Sequence, residues 1–78
     1  MEYTCKLVYR NSSHKAVLLV LEPWAEEHTL APGGCVEVAG RGGAENSAFE
    51  LEQLDDRLII YAWPGSIADI IPLERIPR

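Results

Sequence analysis

"AVLLVLEPWAEEHTLAPGG", residues 16–34, decides the fold. Its opening run, Ala16 to Leu21, is continuously apolar, far short of the roughly 20 residues a membrane helix needs. A run of that length suits a strand covered on both faces. Pro23 interrupts it, and Glu26 to Leu30 resumes as a shorter, weaker strand. Ala31-Pro32-Gly33-Gly34 then stops the chain. Proline presets φ at the first central turn position and glycine accepts the positive φ of the second, which predicts a type II turn. Strand, break, strand and turn follow one another with no helical spacing.

The same grammar extends in both directions. Tyr3, Cys5, Leu7 and Tyr9 alternate with Thr4, Lys6, Val8 and Arg10, giving a strand with one apolar face. Asn11 to Lys15 is a polar turn. Cys35 to Ala39 alternates again, and the glycine-rich residues 40–47 predict a mobile loop. Phe49, Leu51 and Gln53 alternate with Glu50 and Glu52. Asp55-Asp56 predicts a tight turn in which the carboxylates bond nearby backbone N–H groups. Leu58 to Trp63 predicts a second doubly covered strand, and Pro64-Gly65 a second type II turn. Ile67 to Leu73 is the last strand, with Pro72 confining it to a sheet edge, and the tail 74–78 is expected to fray. A helix over 45–54 is the alternative there, with Ser47 as cap and Glu50 at the box position. The whole predicts an all-β domain over residues 1–78, a small antiparallel β-sandwich or partly open β-barrel of about seven short strands. The segments 16–21 and 58–63 are expected at its centre.

Charge narrows the function. Twelve acids against seven Lys and Arg give a net charge of −5, and the basic residues are scattered. Nucleic acid and anionic membranes both demand clustered positive charge, so neither is an expected partner. Met1 to Cys5 has neither a basic start nor an apolar stretch behind it, which predicts no signal peptide, a cytoplasmic location and free thiols at Cys5 and Cys35. In the chain, 47% of residues are apolar and 24% charged, a globular balance. So small a domain buries a thin core and draws stability from elsewhere. A homodimer or one protein partner is the expected source, meeting some of Val17, Leu19, Ile59 and Tyr61, or an unpaired sheet edge.

Candidate site residues lie in the opening stretch. In an extended chain Glu22, Trp24, Glu26 and His28 share one face, neighbours standing about 6.5–7 Å apart. Three uses of that row are open, one of them the positioning of an acid and a base. Glu26 and His28 converge on a metal, or Trp24 plugs the end of the core while the charged residues face water. Trp63, also beside a proline, is either a second plug or an exposed contact anchor. Catalytic zinc needs three protein ligands, and the chain has only His14 and His28, with no paired Cys-x-x-Cys. No serine sits in a Gly-x-Ser-x-Gly elbow, and no helix follows Gly40-Arg41-Gly42-Gly43 to hold a phosphate. The expectation is therefore a non-enzymatic binding or accessory module, without catalytic residues or cofactor. It would act through protein–protein contacts, by strand addition or by an apolar face with an acidic rim. Its contact residues would be Glu22, Trp24, Glu26, His28 and Trp63. The rival is a small cupin-like metal protein using Glu26 and His28. The cupin pattern has a His-x-His pair and a later His, which "EEH" at 26–28 does not reproduce.

"LLVLEPWAEEHTLAPG" (18–33), Val36-Glu37-Val38 and "IIYAWPGS" (59–66) together resemble a group of short bacterial hypothetical proteins. Their pattern runs from an apolar strand through E-P-W, two acids, T-L-x-P-G and V-E-V to W-x-G-S. The resemblance covers most of the chain, is most specific at Glu22-Pro23-Trp24 and Pro32-Gly33, and implies a bacterial source and a stand-alone domain. It implies no catalytic residues.

Overall fold

Period-two alternation at 4–10 and the apolar run at 17–22 become strands of two different sheets. The computed structural model describes residues 2–73. The tail 74–78, read as fraying, lies outside the described residues. Seven strands follow in chain order: β1 Thr4–Arg10, β2 Val17–Glu22, β3 Glu26–Leu30, β4 Cys35–Gly42, β5 Glu50–Gln53, β6 Arg57–Tyr61 and β7 Ser66–Leu73. The smaller sheet has the order β1-β4-β7 and the larger β3-β2-β6-β5. The sheets do not close into a barrel, so each keeps its edges. No helix occurs among the described residues, and 45–54 contains β5 instead. With Glu50, Leu51, Glu52 and Gln53 all exposed, the amphipathic side that a helix would need has nothing to pack on.

The two continuous apolar segments are central, as their composition demands, because β2 and β6 are neighbours inside the larger sheet. They pair parallel, Leu19 opposite Leu58 and Leu21 opposite Ile60, which corrects the expectation of a purely antiparallel architecture. After β3 the chain crosses to the other sheet as β4 and returns as β5. β6 therefore enters beside β2 running the same way. Non-local topology of this kind leaves no mark on local sequence.

The expectation that both segments are covered on both faces needs correction too. Leu19, Leu21, Leu58 and Ile60 turn inward and are buried against Val36, Val38 and Ala68 of the smaller sheet. Leu18, Val20 and Ile59 turn to the other face, where no second sheet lies among the described residues; Leu18 and Ile59 are half-buried there, and Val20 alone is buried, at 8% exposure. Leu19, named above among possible contact residues, is wholly buried. Burying a side chain of its size fully contributes about 1.5–3 kcal/mol.

The turns follow their chemistry. Gly33 and Gly65 take φ of 80° and 82°. Gly34 N–H donates to Ala31 O at 2.9 Å and Ser66 N–H to Trp63 O at 3.1 Å, closing two type II turns. At the β5–β6 turn Asp56 accepts from the Arg57 guanidinium through both oxygens at 3.1 Å, a bond added to the smaller contribution of the local backbone N–H that the turn expectation named. That bond and the adjacent charge hold its carboxyl below the ordinary aspartate value. The loop expected over 40–47 begins later, because Gly40, Arg41 and Gly42 pair with Ala68, Ile67 and Ser66 as the end of β4. Cys5 and Cys35 are free thiols. Cys5 shares the inward side of β1 with Leu7, whereas Cys35 pairs with outward Arg10, so their Cβ vectors diverge and no bridge can form.

Candidate functional site

Trp63 follows β6 and swings between the sheets, 6% exposed. Its indole N–H donates to Gly42 O at 2.8 Å. Tyr3 and Phe49 meet its ring edge-on, at centroid distances of 5.7 and 5.0 Å. The Tyr3 hydroxyl donates to Ser47 O, tying the β4–β5 loop to the same cluster. Gly40 makes room for it: a Cβ there would stand 2.6 Å from Trp63 Cη2 and 2.8 Å from Phe49 Cζ. Trp63 is thus the plug, and only its flank reaches a surface groove.

Trp24 is the opposite case. Its indole is 45% exposed on the turn 23–25 between β2 and β3. Ala25 holds φ of 54°, and its N–H donates to Glu22 Oε1 at 2.9 Å, so the turn is fixed from within. The Glu22–Pro23 peptide bond is cis. Between this turn and the β6–β7 connection lies an open groove of about 600 Å³, walled by Pro23, Trp24, Tyr61 and Pro64.

Register sets the groove's charge. Glu22, Tyr61 and Glu50 form one row across β2, β6 and β5, so their side chains share the outer face of the larger sheet. The Tyr61 hydroxyl donates to Glu52 Oε1 at 2.8 Å. That bond, with desolvation and the negative charges of Glu52, Glu22 and Glu50, pushes the phenol above its ordinary value.

Of the five residues expected to act together, Glu22, Trp24 and Trp63 line this groove. Glu26 and His28 do not. They pair with the inward residues Leu21 and Leu19, which places them on the other face of the sheet from Glu22. The turn at 23–25 reverses the chain and breaks the row that an uninterrupted strand would have kept. Glu26 is exposed and His28 half-buried. Among the described residues no three His, Cys, Asp or Glu side chains gather as a metal site would require. The hydroxyls of Ser47 and Ser66 donate to the turn carbonyls of Ala44 and Trp63.

A second surface was not singled out in the sequence. The outer face of the smaller sheet exposes Val8 at 63%, Ile67 at 56%, Ile71 at 43% and Leu73 at 38%. Between them Ala39 floors a depression of about 260 Å³. The signal was present: Val8 occupies an outward slot among Thr4, Lys6 and Arg10, where period two calls for a polar residue. Lys6, Arg10, Arg41, Glu37 and Asp69 intersperse both signs of charge on this face. The larger sheet's outer face carries Glu22, Glu27, Glu50 and Glu52, with Arg57 the one base in its paired rows.

Comparison with family models, curated proteins and solved structures finds no match to this chain. Among the described residues no helix is long and apolar enough to cross a membrane.

Proposed function

We propose that this domain is a non-enzymatic binding module that acts through protein–protein contacts, and that the outer face of its smaller sheet docks a second copy of the chain. The observation that carries this is the cluster of large apolar side chains on that face, Val8, Ile67, Ile71 and Leu73. Large apolar side chains exposed on one face among polar ones, here Asp69 and Glu37, mark interaction sites. The surrounding charges are of both signs, so two such faces can satisfy one another. The larger sheet's outer face is nearly all acidic, and two copies stacked there would repel.

Strand addition has less support. β5 guards its edge with Glu50 and Glu52, β3 with Glu26 and Glu27, and β7 with Pro72. Charge and proline are the ordinary means of keeping edges unpaired. Light scattering coupled to size exclusion tests the proposal. The expected result is a dimer that becomes a folded monomer on replacing Ile67 and Ile71 with Asp. A wild-type monomer at high concentration overturns it.

The metal-binding rival rests on Glu26 and His28, which have no third donor beside them among the described residues. Elemental analysis separates the two ideas: stoichiometric metal lost in His28→Ala would favour the rival.

A further inference from the structure

The groove between Trp24 and Tyr61 lies on the other sheet from the docking face and stands whether or not the chain dimerises. Pro23, Trp24, Tyr61, Ala62 and Pro64 supply its apolar walls and Glu22 and Ser66 its polar lining, and it is open rather than enclosed. Grooves of that make accept extended, proline-containing chain, whose rings lie flat on aromatic faces and whose preformed conformation loses little entropy on binding. The indole is presented by a turn already fixed through the Glu22–Ala25 bond, so binding need not order it.

Charge names the rest of the occupant. Glu22 and Glu50 flank Tyr61 in register, and Glu52 holds its hydroxyl. Arg57 neutralises none of them: it sits at the far end of β6 from Tyr61 and is bonded to Asp56. An approaching peptide therefore meets aromatic surface edged by carboxylates. Guanidinium answers both features, since its plane stacks on indole or phenol while its N–H groups donate to carboxylate oxygens. We infer that this groove binds an extended protein segment containing proline and arginine, with proline against Trp24 and the arginine over Tyr61 between Glu22 and Glu50.

The probe is a synthetic proline-rich decapeptide with one central arginine, titrated into the nitrogen-15-labelled full chain. The two indole N–H resonances read the outcome separately. That of Trp24 should shift with peptide; that of Trp63, whose flank lines the same groove but whose N–H is bonded to Gly42 inside the fold, should shift less and stay sharp at its folded position, reporting an intact domain. Replacing the peptide's arginine with glutamine should weaken binding about three- to tenfold. Glu22→Gln keeps the acceptor for Ala25 and removes the charge, and should weaken the arginine peptide but not the glutamine one. Trp24→Ala should abolish binding with the Trp63 resonance in place. Equal affinity for the two peptides, binding that survives Trp24→Ala, or no shift at millimolar peptide would each overturn the inference. These readouts are independent of oligomeric state, so a monomeric chain that binds the peptide, or a dimer that does not, separates this inference from the docking proposal.

Discussion

Asn11 is fully buried at 2% exposure, in a turn whose sequence reads simply as polar. Its Nδ2 donates to Lys15 O at 2.8 Å and to Leu30 O at 3.1 Å. Its Oδ1 accepts from Ser13 N–H at 3.0 Å and from Ser13 Oγ at 2.7 Å. Its backbone bonds Gly34 O and Gly33 N–H. One side chain thus ties the β1–β2 turn to the type II turn before β4. Replacing it with Ala strands buried carbonyls, and Asn11→Ala should lose about 1–3 kcal/mol of stability in urea unfolding. Tyr61 makes a titratable case. Its raised pKa means that the Glu52 bond contributes stability fully below the unfolded value of 10.0 and loses it as pH rises through the folded value. Ring carbon-13 shifts should place its midpoint above 10.0 in the wild type. Glu52→Gln, which keeps an acceptor, should lower that midpoint, and Glu52→Ala should lower it further, since the hydrogen bond is the largest cause. Neither residue's role could be read from sequence. A turn asparagine and an alternating glutamate look the same whether or not a partner arrives from a distant strand.

At the scale of elements, much more was legible. Strand positions, the two type II turns and the central place of β2 and β6 follow from alternation, apolar runs and Pro-Gly chemistry, all of them local. What was lost is what depends on the neighbour. Glycine breaks strands, so the glycines at 40 and 42 read as loop, yet they extend β4. Gly40 is there for clearance, under the rings of Trp63 and Phe49, and a side chain would collide with both. Gly40→Ala should therefore destabilise by about 1–3 kcal/mol, the cost of overpacking. The same substitution in a mobile loop would be neutral or slightly stabilising. Thermal unfolding followed by Trp fluorescence distinguishes these outcomes. The row Glu22, Trp24, Glu26, His28 failed for a related reason: alternation holds only while the strand runs, and the turn at 23–25 sends Glu26 and His28 to the opposite face.

At the scale of the whole molecule, the register across β1, β4 and β7 offers two axes for the proposed dimer. Its rows are Thr4-Arg41-Ile67, Lys6-Ala39-Asp69, Val8-Glu37-Ile71 and Arg10-Cys35-Leu73. A two-fold axis along β4 would set Arg41 on the partner's Arg41 and Glu37 on the partner's Glu37 at the centre of the contact. An axis across the strands through the Ala39 row does the reverse. It sets Arg41 against the partner's Glu37 twice on the central strand, brings Ile67 to the partner's Ile71, and places Ala39 where the sheets approach most closely; Lys6 and Asp69, which this axis sets on their own copies, lie on the flanking strands β1 and β7, away from the centre. Isologous contact repeats each pairing, so one substitution acts at two places. Arg41→Glu or Glu37→Arg alone should weaken dimerisation about tenfold or more, through like charges held face to face. Combining them restores opposite charge at both places and should recover most of the loss. The Arg41→Glu variant should keep wild-type unfolding of the separated chain, because Arg41 is exposed and exposed charges seldom move stability beyond about 0.5 kcal/mol. Sedimentation equilibrium measures the dissociation constants. If the double variant dissociates as readily as the weaker single one, the axis runs elsewhere, since only the cross-strand axis makes Arg41 and Glu37 each other's partners.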